Sequence, residues 1–199
     1  MYVRTHHGPR ADGIIRRMNA LPSARDVVAF WRDAGPKRWF AKDAAFDAEF
    51  RSRFEAAHHA AATGDLDHWV HDAEGALALV ILLDQLPRNA WRGSGHMYAT
   101  DGKARSIALA AVVAGFDQQI DDAGMRAFFY MPFMHSESLD DQHRCVALCA
   151  ALNEAQARYA VHHREIIERF GRFPHRNAAL GRSTTNEEQQ FLDGGGFTG

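Results

Sequence analysis

A chain of 199 residues, 46% of them hydrophobic, can bury one substantial core without help from metals or disulfides. The near-balance of 23 Lys and Arg against 25 Asp and Glu, a formal charge of −2, argues against the basic surface that duplex nucleic acid favours. Cys145 and Cys149 are the only two cysteines and read as reduced core thiols; with no signal peptide and no apolar run approaching about 20 residues, no membrane span is expected and the cytoplasm is the expected location.

Residues 1–22, MYVRTHHGPRADGIIRRMNALP, are broken by glycine and proline and set Arg4, Arg10, Arg16 and Arg17 against Asp12 alone. A flexible extension is expected there, with Met18 as an alternative start. From Ser23 the spacing turns helical. Val27, Phe30 and Trp31 fall at i, i+3 and i+4 behind a capping serine, and Gly35-Pro36 stops the run. Asp43 caps a second amphipathic helix whose Phe46, Phe50 and Phe54 recur every four residues until Thr63-Gly64. Asp65 opens a short turn or helix through Trp69.

The run EGALALVILLDQLPRN is apolar on all sides until Pro87, which predicts a helix buried all round. A loop rich in glycine and aromatics, Trp91 to Thr100, leads to an alanine-rich helix from Asp101 to Gly115. Met125 to Met134 reads as an apolar helix that Pro132 kinks or ends near Tyr130. Ser138 with Asp141 predicts a fresh cap and a helix through Leu152. A helix over 155–170 sets Tyr159, His163, Ile167 and Phe170 on one stripe. Thr185 with Glu188 forms a capping box before a last short helix, and residues 194–199 read as a flexible tail. No segment alternates as a strand does, so residues 23–193 are expected to form one all-α domain with antiparallel neighbouring helices.

Three apolar runs end in polar clusters: LVILLDQLPRN, AFFYMPFMHSE and IIERFGRFPHRN. If like ends lie together they gather Asp84, Gln85, Arg88, Asn89, His135, Glu137, Arg172, His175, Arg176 and Asn177 around one spot. Asp84 continues the buried face of Leu77 and Ile81, so it needs a cation, and Arg88, Arg172 or Arg176 is the expected partner. Twelve histidines invite a metal reading, through His68, His71 and Glu74, through His135, Glu137 and His143, or through His162 and His163. None has the tight ligand spacing of a metal motif, and no metal or cofactor is expected. The glycine-rich phosphate loop, the dinucleotide fingerprint and the GxSxG elbow are all absent.

The segments DVVAFWRDAGPKRWF, LLDQLPRN, FFYMPFMHSE with Asp141-Gln142, and ERFGRFPHRNAALGRSTTNEEQQFL together resemble the bacterial family catalogued as domain of unknown function 924. The likeness covers residues 23 to 193, and Leu86 stands where a phenylalanine is more usual. It implies a compact domain of stacked helical hairpins, similar to the tetratricopeptide-like superfamily, and brings no established activity.

These readings together point to a domain that binds an anionic small molecule or a carboxylate-bearing peptide. Arg88, Arg172 and Arg176 would contact the anion, and Asn89, His135, His175 and Asn177 would set the hydrogen bonds. One alternative is a hydrolase or lyase using His135 or His175 as acid and base with Asp84 or Glu137 beside it. A second makes the cluster an internal ion-paired plug, with the domain acting as a structural or interaction scaffold and the loop WRGSGHMYATD as a contact surface.

Overall fold

The computed structural model describes residues 21–199, so the expectations for the N-terminal extension and for Met18 fall outside the described residues. The domain is all-α, with no strand among those residues. Helix α1 (Ala24–Ala34) starts on a capping box, in which the Asp26 amide donates to Ser23 Oγ and the Ser23 amide to Asp26. After the single turn α2 (Pro36–Trp39), Asp43 caps α3 (Ala44–Thr63), whose Phe46, Phe50 and Phe54 are all buried. Phe30 stacks on Phe46 and Phe50, and Trp31 meets Phe50 and Phe128, so the four-residue aromatic spacing becomes the seam between the first two long helices.

The central helix is longer than the sequence predicts. It runs as α4 (Ala73–Val80), one π-helical turn (Ile81–Gln85) and α5 (Leu86–Ala90), so Pro87 does not end it. Proline has no N–H to donate to the preceding turn, and the wide π turn takes up the ring. The carbonyls left over find side-chain donors: Thr100 Oγ1 donates to Leu83 O at 2.5 Å, Arg88 Nη1 to Asp84 O at 2.7 Å, and His58 Nδ1 lies 2.9 Å from Leu82 O. Every residue from Gly75 to Pro87 is buried, as the all-round apolar pattern implies.

A 3₁₀ turn (Gly95–Tyr98) leads into α6 (Asp101–Val113). The kink expected at Pro132 is present: α7 (Ala123–Arg126) passes through a 3₁₀ turn, breaks at Tyr130 and resumes as α8 (Met131–Met134) with the proline in its first turn. Helices α9 (Leu139–Ala150) and α10 (Glu154–Phe170) form a hairpin, and α11 (Asn186–Asp193) begins on the Thr185–Glu188 capping box. Three local expectations fail. Asp67, not Asp65, opens the 3₁₀ turn through His71. Ser138 gives no side-chain cap, and its amide donates to Ser136 Oγ while Asp141 accepts from Ser136 Oγ, Arg105 and Arg144. Tyr159 leaves the buried stripe of His163 and Ile167 and is 64% exposed, since α11 and the final residues cover only the later part of α10.

The core has two parts. The larger joins α1, α3, α4, α6, α8 and α9; a smaller one gathers Ile166, Ile167 and Phe173 with Phe170, Phe191 and Phe197. Polar side chains from the ends of both meet between them.

Candidate functional site

Asp84 is wholly buried in the π turn and three groups hold it. Gln85 Nε2 donates to Oδ2 at 2.6 Å, His135 Nδ1 is 2.9 Å from Oδ1, and Arg88 Nη1 is 3.1 Å from Oδ1. Burial alone would raise the Asp84 carboxyl, but the Arg88 guanidinium and the donated hydrogen bonds outweigh it and hold the group ionised, well below the usual carboxylate range. Arg88 is thus the cation that Asp84 requires, although its two-pronged contact goes elsewhere: Nη1 and Nη2 each donate to Asp101 at 2.9 Å. Asp101, the first residue of α6, was not among the expected partners because nothing in the sequence links it to residue 88.

An ionised Asp84 can only accept, so His135 Nδ1 carries the proton and the ring is fixed in one tautomer. Burial and the Arg88 charge press the imidazole below its ordinary value, against the opposing pull of Asp84, and it is neutral at neutral pH. Its Nε2 is therefore a free acceptor. Among the described residues no donor reaches that atom, and it is not sealed from solvent, on a side chain 17% exposed.

Around Arg176 the arrangement is different. The residue is 7% exposed, yet among the described residues its guanidinium makes no hydrogen bond. Among the described residues the one carboxylate within 4 Å is Asp101, whose Oδ2 lies 3.9 Å from Nη1 and is already engaged by Arg88. Nε is shut away from solvent without a partner. The plane is held instead by aromatic faces, with the guanidinium carbon 4.5 Å from the Phe173 ring centre and 4.7 Å from that of Tyr98. Burial and the neighbouring Arg88 lower its proton affinity, and it remains a cation because arginine starts far above neutrality. Tyr98 reaches this position because Gly95 lets its loop touch residue 179: a Cβ there would sit 2.8 Å from the Ala179 carbonyl.

His175 adjoins Arg176 with Nδ1 buried and unpartnered among the described residues, and burial, then Arg176 and His163, push it down to about 4. Phe197 packs on both rings, 4.6 Å from His163 and 5.2 Å from His175.

The remaining expected residues are committed to internal pairs. Arg172 donates Nε and Nη2 to Glu188 at 2.6 and 2.9 Å, and Asn177 Nδ2 joins the same carboxylate at 3.2 Å. Arg182 grips Glu137 with both terminal nitrogens at 2.7 and 3.0 Å, while the Phe173 amide donates to Glu137 Oε1 at 2.9 Å. Asn89 turns to Asp47, which Arg92 also holds. So Asp84, Arg88, His135, His175 and Arg176 gather, Glu137 flanks them as a strut, and Arg172, Asn89 and Asn177 are spent elsewhere. Tyr98, assigned from sequence to a separate contact loop, belongs to the cluster. Among the described residues no three His, Cys, Asp or Glu side chains are set to hold a metal ion. A groove of about 310 Å³ lies apart, between α1 and α3, where Asp33, Glu49, Arg38 and Arg53 surround Phe30 and Phe46. Its Arg53 rests 4.7 Å above Phe30 and 3.4 Å from Glu49, and it has no unpaired buried polar group comparable to Arg176.

Residues 27–196 match the family described as bacterial protein of unknown function, DUF924. The chain belongs to DUF924. A solved structure of a protein of unknown function from Agrobacterium tumefaciens is 51% identical, superposes with a TM-score of 0.84, and covers 86% of this chain and 97% of its own. Among curated proteins nothing matches. DUF924 membership fixes the helical architecture and leaves the chemistry of the cluster to its own geometry. No helix among the described residues is long and apolar enough to cross a membrane.

Proposed function

We infer that the cluster binds an anionic ligand, a carboxylate or phosphate group on a small molecule or peptide, with Arg176 as its principal contact. The observation that carries the reading is that Arg176, more than nine-tenths buried, makes no hydrogen bond among the described residues and has Nε shut from solvent, whereas Arg172 and Arg182 both have two-pronged carboxylate partners. A buried cation is costly without a counter-charge, and an incoming anion supplies one. Arg88 lends field without being displaced, Tyr98 and Phe173 keep the Arg176 plane fixed, and His135 borders the same cluster. A small anion also suits a domain whose formal charge of −2 offers nucleic acid no broad basic face.

The test is heteronuclear NMR titration with inorganic phosphate and with succinate. Binding is expected to shift resonances of residues 88, 98, 135 and 176 in the wild type and to disappear in Arg176→Ala, while Arg169→Ala, a surface arginine paired with Glu187, binds as before. Equal titration of Arg176→Ala and wild type overturns the reading. A second reading, acid and base chemistry, is favoured by the Asp84–His135 pair, because a carboxylate that fixes a neutral imidazole is the arrangement a general base requires. We place the protein in the cytoplasm, where the buried thiols of Cys145 and Cys149, 3.7 Å apart, stay reduced.

A further inference from the structure

The cluster has two unmet hydrogen-bonding demands of opposite kind. The Arg176 guanidinium offers donors with no acceptor in hydrogen-bond reach among the described residues. His135 offers the reverse: with Nδ1–H spent on Asp84, its Nε2 is a lone-pair acceptor with no donor. A bare carboxylate or sulfate would satisfy the first demand and leave the second to water, since its own oxygens and the Nε2 lone pair repel.

The groups around His135 keep it an acceptor from every side. Asp84 in the π turn takes the Nδ1 proton, Arg88 on α5 disfavours a second positive charge, Asp101 at the start of α6 is neutralised by Arg88, and His175 across the cluster is itself pressed toward its neutral form. The one side-chain bond His135 makes among the described residues is through Nδ1, so no protein donor there reaches Nε2.

We propose that the ligand is an anion carrying its own hydrogen-bond donor, a hydrogen-phosphate group or a 2-hydroxy acid, with its charged oxygens on Arg176 and its hydroxyl donating to His135 Nε2. This rests on the anion-binding reading and adds a selectivity to it. Phosphate and sulfate are alike in size and shape, but at pH 7.5 phosphate keeps a P–OH and sulfate has none. Lactate and propionate differ in the same way. A site with an acceptor facing the ligand discriminates against the member that lacks the donor, because that anion must keep a water between its oxygens and Nε2 while the donor-bearing one bonds it directly.

The experiment compares the four anions by NMR titration at pH 7.5 and constant ionic strength, on wild type, His135→Phe and Arg176→Ala. Wild type is expected to bind phosphate about tenfold tighter than sulfate, and lactate about tenfold tighter than propionate. His135→Phe is expected to bring both ratios below about twofold, and Arg176→Ala to lose all four anions. The two pairs separate the sources: a preference within the phosphate and sulfate pair alone assigns a phosphate group, and one within lactate and propionate alone assigns a hydroxy acid. Equal affinity within both pairs, still dependent on Arg176, overturns the donor inference and leaves the anion site standing. Absence of any Arg176-dependent binding overturns the anion site itself. Should His135→Phe fail to fold, the wild-type ratios decide alone, together with the histidine ¹⁵N spectrum, in which a protonated His135 Nε2 at pH 7.5 would overturn the proposal.

Discussion

Removing the Asp84 carboxylate is the most direct challenge to the physical picture of the cluster. Asp84→Ala deletes a fully buried charge, leaves the Gln85 amide and the His135 Nδ1–H without their acceptor, and takes one of two carboxylates from Arg88. Breaking a buried ion pair costs about 3–5 kcal/mol, most of it from the charge left behind. Here Arg88 keeps both bonds to Asp101, so the cost belongs near the lower end, about 3 kcal/mol. For a domain of this length that lowers the Tm by about 6–12 °C. Urea unfolding of the two proteins at pH 7, followed by circular dichroism, measures it. The sign with pH is also fixed. Because the folded carboxyl titrates below its unfolded value, its stabilisation is present above about pH 4 and fades as pH falls toward its folded value. The gap between wild type and variant is therefore expected to narrow below pH 4. A loss under 1 kcal/mol at pH 7, or a gap that widens in acid, refutes the ion-pair account.

Other consequences are open to test. His163 and His175 are both pushed down to about 4, chiefly by burial, so the unfolded chain takes up protons that the folded one refuses. Stability is expected to be full above about pH 6.5 and to fall steadily from there toward pH 4, with a shallower fall in His163→Gln; a flat profile over that range contradicts the burial of these rings. Thr100→Val should cost about 1–2 kcal/mol in chemical denaturation, because it strips the Leu83 carbonyl of the donor that replaces proline's missing N–H. Arg172→Ala should leave the main core intact and speed hydrogen exchange at the amides of α11, since Glu188 then caps that helix without its guanidinium; unchanged exchange there would show that the pair adds nothing.

What the sequence disclosed was mainly local. The capping serine Ser23 and the Thr185–Glu188 box act within one helical turn, and both caps formed, the first completed as a box by Asp26. The phenylalanine seam and the all-apolar central helix were legible for the same reason: side-chain period alone decides which face is buried. Pro87 misled, because the rule that proline ends a helix assumes a regular α turn before it, and the donors that rescue the freed carbonyls come from residues 58 and 100. The meeting of Asp84 and His135, 51 positions apart, followed from the guess that like helix ends converge. Which arginine stayed unpaired did not. Arg172, Arg176 and Arg182 lie in one polar stretch, and only their partners, Glu188, Asp101 and Glu137, tell them apart.

The π turn gives the protein one residue more than a regular helix would spend between Val80 and Leu86. Each residue in an α-helix turns the chain by about 100°. The lining of the core before the turn and the direction in which Asp84 points after it are consequently set by separate choices. Deleting a single amino acid between Ile81 and Leu83 would restore the regular winding and swing the carboxylate off its histidine, while the helix above keeps its neighbours. Such a frame shift within a helix changes the geometry of a site without changing any side chain in it, and would serve as a control that no point replacement of Asp84 or His135 can provide.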